Sequence, residues 1–200
     1  MEKFCKFIDV KYFNNSLITI GIFVFCILLA CIFNITYIAE NTLLENSQLI
    51  VLFVAFIVCL KAKNNKTLFN FGAMIIFLMI MRELSYGRCI FCQLPDDPHN
   101  FYPWSHYKYG WMAHIIIGIY IALLILYAFV NKIWIDIKTV LEKFRFPLWD
   151  FVTMSALVII QYLGERTLHN SCLEEIAEFT LYCAILALVY YFYKRTKEQK

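Results

Sequence analysis

Ionisable and metal-ligating side chains gather at the ends of long apolar runs in this chain. Arg82, Glu83 and Arg88 close one run and His114 lies just inside the next; Glu165, Arg166 and His169 close a later run, and Glu174, Glu175 and Glu178 open the last. Gln161, Glu165 and His169 are spaced four apart, which on a helix places them on one face, and Glu174, Glu178 and Tyr182 repeat that stripe on the following run. Glu165 and His169 could therefore ligate one ion together, with Glu178 from the neighbouring helix as a third ligand. Carboxylate and imidazole groups from facing helices suit a divalent metal such as zinc, manganese or iron. A metal held there would generate hydroxide from water near neutral pH. Glu83 or His114 could instead serve as the acid or base, and His169 with Glu165 and Glu178 could act as a base without a metal. Arg82, Arg88 and Arg166 would hold a phosphate or carboxylate on the substrate, and Ser85 is a weak candidate for a nucleophile.

The plain alternative has the same residues neutralising one another in an ion-pair network, since a paired charge is the normal state of a buried charge. His114, beside Trp111 and Gly118, also fits a packed or interfacial histidine. His99 and His106 fall in the aromatic stretch HNFYPWSHYKYGW, which reads as an interfacial belt and not as a ligand set. The PDDPHN turn has too few acidic groups, too loosely spaced, for calcium.

Of the eight cysteines, Cys26, Cys31, Cys59 and Cys183 lie inside apolar runs as small packing residues. Cys89, Cys92 and Cys172 lie outside them, on the same side as the charged cluster. A CxxC pair with a third thiol nearby is the minimum equipment for disulfide exchange, and a structural bridge from the Cys89 region to Cys172 is the competing expectation.

The elements that must position these groups are membrane spans. The chain of 200 residues is 62% hydrophobic and 16% charged, with a mean hydropathy of +0.65, far from the composition of a soluble domain. A net charge of +3 spread over loops points to no nucleic-acid partner. Six windows are long enough to cross a hydrocarbon layer of about 30 Å: roughly 17–37, 42–60, 67–87, 111–131, 148–168 and 174–193. The first window is too long for a signal-peptide core and lacks a convincing cleavage site, so it reads as a retained span. Backbone hydrogen bonding inside lipid then favours an all-α bundle of about six transmembrane helices, forming one domain over residues 1–200.

Lys and Arg bias sets the orientation. Lys3, Lys6 and Lys11 precede the first span; Lys61, Lys63 and Lys66 follow the second; Lys132, Lys138, Lys143 and Arg145 follow the fourth; Lys194, Arg195, Lys197 and Lys200 end the chain. These four segments are expected in the cytoplasm, together with both termini. The loop with Glu40 and Glu45, and the loops with Arg88, Lys108 and Arg166, are expected outside, which makes the charged cluster outward-facing.

RELSYGR, GERTLHN and LEEIAE together resemble a loosely characterised class of bacterial multi-pass membrane proteins. That class shows an (R/E)ExS(Y/W)G(Q/R) motif at a helix end, a later ExxxHN and a Glu-rich start of the last helix. The resemblance covers about 25 residues in three patches and falls on Arg82, Glu83, Ser85, Gly87, Arg88, Glu165, His169, Asn170, Glu174, Glu175 and Glu178. It implies a bacterial cytoplasmic (inner) membrane location and no particular reaction. The CxxC is an addition to its pattern. The ceramidase and progestin-receptor class of membrane hydrolases does not fit, because the last span here contains no histidine.

The expectation that follows is metal-assisted hydrolysis or transfer on a lipid or lipid-linked substrate. The alternatives are a membrane thiol-disulfide oxidoreductase using Cys89 and Cys92 with Cys172, and a non-enzymatic transporter, immunity or assembly factor in which the cluster locks helices.

Overall fold

The computed structural model describes residues 8–9, 13–33, 43–88, 92, 102–144 and 146–198. Among these, seven α-helices follow in order: α1 (Asn14–Ile32), α2 (Leu43–Lys61), α3 (Lys66–Glu83), α4 (Trp111–Val130), α5 (Ile133–Phe144), α6 (Leu148–Leu163) and α7 (Ser171–Lys197). Two two-residue strands, β1 (Ile8–Asp9) and β2 (Phe146–Pro147), pair in parallel, Ile8 opposite Phe146 and Asp9 opposite Pro147.

Each of the six apolar windows contains a helix. Three of them, α1, the Leu44–Lys61 stretch of α2, and α4, are long and apolar enough to cross a membrane. In α4 no residue is buried, and Ile116, Ile119, Leu123, Leu126 and Phe129 are all exposed. A helix that leaves so much apolar surface exposed needs a hydrocarbon solvent, so the molecule carries the surface of a membrane protein.

Helix direction follows from the contacts between elements. Glu83 at the end of α3 meets Tyr182 in the first half of α7, and Gln161 near the end of α6 meets Glu178. Tyr120 and Tyr127 on α4 donate to the carbonyls of Met74 and Thr67 on α3, in reverse order along the chain. The starts of α1 and α6 meet through Ser16 and Asp150. One end of the bundle thus collects Arg82, Glu83 and Glu178, while the other collects Lys61, Lys63, Lys66, Lys194, Arg195 and Lys197.

The core lies where α2, α3 and α7 meet, with Leu52, Ala55, Cys59, Phe69, Ala73, Ile76 and Tyr182 nearly or wholly enclosed. Ala55 and Ala73 let the helix backbones approach, as small residues do in lipid-embedded packing. The 12-residue α5 sits in what reads by sequence as a plain cytoplasmic loop. It buries Ile133 and Val140 and exposes Lys138, Glu142 and Lys143, a two-faced pattern.

Candidate functional site

The polar cluster centres on Tyr182, which is 1% exposed. Its hydroxyl stands 2.7 Å from Oε1 of Glu83 and 2.9 Å from Oε1 of Glu178, and Gln161 Nε2 donates to that same Glu178 oxygen at 3.0 Å. Arg82 bridges the two carboxylates, meeting Glu83 through Nη2 at 3.0 Å and Nε at 3.1 Å, and Glu178 through Nη2. The Arg82 side chain is half exposed, whereas both carboxylates are nearly enclosed. Glu178 and Tyr182 meet because they are one helical turn apart, and Glu83 arrives from α3 in the last residue of that helix.

A left-handed turn follows. Ser85, Tyr86 and Gly87 all have positive φ, at 47°, 54° and 90°, so the RELSYGR segment reverses the chain immediately after the glutamate. Arg88 lands beside this turn, with Nε 3.4 Å from the Ser85 carbonyl, and not among the carboxylates.

The second half of the expected stripe does not form. The α-helix ends at Leu163 and continues as one π-turn over Gly164–Leu168, and His169 is left-handed with φ 46°. The wider turn and the reversal break the four-residue repeat. Gln161 still faces Glu178, but Glu165 and His169 are exposed, and Glu165 contacts Arg166 at 3.7 Å. His114 is likewise exposed on α4. Among the described residues, no three His, Cys, Asp or Glu side chains converge as a ligand set. The GERTLHN segment instead has joining work to do. Gly164 packs so closely on α7 that a Cβ there would sit 3.1 Å from the Glu174 nitrogen, and the Asn170 side chain caps α7 by accepting from the Leu173 N–H at 3.1 Å.

A second pair adjoins the cluster. Gln48 on α2, fully enclosed, donates Nε2 to the Glu175 carboxylate at 2.8 Å, while its Oε1 is buried with no hydrogen-bond partner among the described residues. Sequence reading passes over Gln48, because a single amide in an apolar run leaves no periodic signal. Asp150 is also missed. It is 5% exposed at the start of α6 and accepts from Ser16 Oγ at 2.6 Å and Asn15 Nδ2 at 3.3 Å.

Among the cysteines, Cys89 lies outside the described residues, as does His99. Cys92 and Cys172 are buried and form no disulfide among the described residues. Cys92 is held in a local turn, its N–H bonded to the Arg88 carbonyl and its carbonyl to the Tyr102 N–H, both at 2.8 Å. His106 stacks on Tyr102, with ring centroids 4.4 Å apart.

No protein-family model matches the chain, and no curated protein and no solved structure matches it either.

Proposed function

We propose that this is a multi-pass protein of the bacterial cytoplasmic membrane with six spans and both termini in the cytoplasm, whose Glu83–Tyr182–Glu178 cluster is an outward-facing acid–base site. Its substrate would be a lipid or lipid-linked molecule undergoing hydrolysis or group transfer. The carrying observation is that two enclosed carboxylates from different helices share one phenol hydroxyl beneath a half-exposed guanidinium.

A phenol has a single hydrogen and donates to one carboxylate at a time; the other contact is satisfied when that carboxyl carries a proton and donates to the phenol oxygen. With one such proton, two carboxyls and Arg82 are charge-balanced. A site that holds one proton among several acceptors can give or take it as charge develops on a bound substrate. Arg82, exposed on one side, supplies the anchor for a phosphate, with Arg88 and Arg166 as further cationic groups at the same end. A divalent metal on Glu165, His169 and Glu178 is the less supported version, because Glu178 Oε1 already receives Arg82, Gln161 and Tyr182. Disulfide exchange through Cys89 and Cys92 is less supported again, since Cys92 is 1% exposed.

The same saturation of Glu178 favours a second reading, in which the cluster locks α3, α6 and α7 and the protein is not an enzyme. Reconstitution in vesicles of bacterial polar lipid separates the two, with head-group release followed by mass spectrometry. The acid–base reading expects release by the native protein and a loss of about 10²-fold or more in folded Glu83→Gln and Glu178→Gln variants. Absence of release from native protein, with each variant losing folded material, leaves the helix lock. Stoichiometric metal that disappears with His169→Ala brings the metal version back.

A further inference from the structure

At the lysine-rich end, the loop between α2 and α3 folds against the end of α7. Asn64 Nδ2 donates to the Thr196 carbonyl at 2.6 Å, which fixes the two segments together, and within α7 Thr196 Oγ1 donates to the Tyr193 carbonyl at 2.9 Å. Between them is a cavity of about 270 Å³ walled by Lys61, Lys63, Lys197, Asn64, Tyr193 and Thr196 with Ala62. Among the described residues no carboxylate contributes to that wall. All three lysines are exposed, so their ammonium groups are solvated and available.

Thr196 is also part of the wall of a second space, an apolar groove of about 290 Å³ between α2, α3, α5 and α7. Phe69, Ile75, Ile137, Val140 and Val189 line it. Two of these come from α5, whose apolar side forms the wall while Lys138 and Lys143 stay exposed. A short helix with one apolar face and lysines on the other fits the interfacial plane of a bilayer, which puts the groove at the depth where a head group meets its acyl chains.

A cationic chamber abutting a hydrocarbon-lined groove has the shape of an amphiphile with an anionic head. Lysines at the ends of α2 and α7 also complement the helix carbonyls there, but that role needs neither convergence on one cavity nor an adjoining groove. We infer that this composite cavity binds an anionic glycerophospholipid of the leaflet on that side, its phosphate on Lys61, Lys63 and Lys197 and one acyl chain in the groove. Basic pockets between membrane helices on the cytoplasmic side recognise head groups by this chemistry. The inference rests on the membrane reading of the helices and not on the Glu83–Tyr182–Glu178 cluster, so either can fail alone.

The test is native mass spectrometry of the full chain in detergent, titrated with phosphatidylglycerol, phosphatidylcholine or inorganic phosphate. Phosphatidylglycerol is expected to bind saturably and at least about tenfold more tightly than phosphatidylcholine. A Lys61→Gln, Lys63→Gln, Lys197→Gln triple variant is expected to remove that preference, whereas Lys132→Gln, Lys138→Gln, Lys143→Gln, with the same charge change, keeps it. Gly72→Leu, which narrows the groove, is expected to weaken the lipid while the lysines stay in place. Equal binding of the two lipids, equal losses in the two triple variants, or displacement of phosphatidylglycerol by inorganic phosphate at matched concentration overturns the proposal. The last outcome would identify a free-anion pocket.

Discussion

The Tyr182 hydroxyl on α7 lies 2.7 Å from the carboxylate of Glu83, 99 residues earlier on α3. The same oxygen is 2.9 Å from Glu178 on its own helix. Removing the hydroxyl leaves two carboxylates sharing Arg82 with one donor fewer. Tyr182→Phe is expected to lower stability by about 1–3 kcal/mol, the cost of unpairing a buried polar group. A double-mutant cycle with Glu83→Gln, read by chemical denaturation in detergent, is expected to show coupling of about 0.5–3 kcal/mol. Additive losses would show that the contact contributes nothing.

Glu178→Ala strips the acceptor from Arg82, Gln161 and Tyr182 at once. Breaking a buried pair from one side costs about 3–5 kcal/mol, reduced here because the Arg82 side chain is 50% exposed and re-solvates. Glu178→Gln keeps an oxygen acceptor and is expected to retain more of the stability. Thermal melts of the two variants, compared side by side, check the ordering.

Gly87 has φ 90° and is buried at the close of the Ser85–Gly87 turn. Any side chain there meets left-handed strain of roughly 1–2 kcal/mol. Gly87→Ala is expected to destabilise by about that amount. Ser85→Gly, at φ 47°, is expected to relieve strain by up to about 1 kcal/mol. Opposite signs in the melting temperature are the observable.

Cys172 stands at the start of α7, and burial pushes its thiol above the ordinary value, with Cys31 adding to the shift. A raised value means less thiolate at neutral pH, so alkylation is slow there and rises only as pH climbs past the usual thiol range. Maleimide labelling followed by intact-mass measurement is expected to show Cys172 reacting slowly in folded protein and rapidly once unfolded. Fast labelling at pH 7 would contradict this burial.

Much of the architecture is readable from sequence because apolar run length is a strong signal. Each window holds a helix, from α1 at Asn14–Ile32 to α7 at Ser171–Lys197. The four-residue spacing of Glu178 and Tyr182 also survives, since α7 is continuous through both. Spacing fails at Glu165 and His169, because nothing in the residue types announces a π-turn at Gly164 or a left-handed histidine. Helix α5 is hidden by its lysines, which read as loop charge although its apolar positions recur on one face. Gln48 and Asp150 are invisible for another reason. Each is a single polar residue whose partner, Glu175 or Ser16, is more than a hundred positions away.

Ser16 and Asp150 are 134 positions apart, and α1 packs mainly on α6 and α7. Helix α1 is therefore made well before both of its main neighbours. While α2 and α3 are already free to join as a hairpin, α1 waits in lipid with Ser16 and Thr19, both enclosed in the finished molecule, still facing hydrocarbon or the interface. Its docking, together with the β1–β2 pairing, requires α6 and α7 to be present, and a nascent chain stalled before α6 is expected to leave α1 open to quality-control proteases.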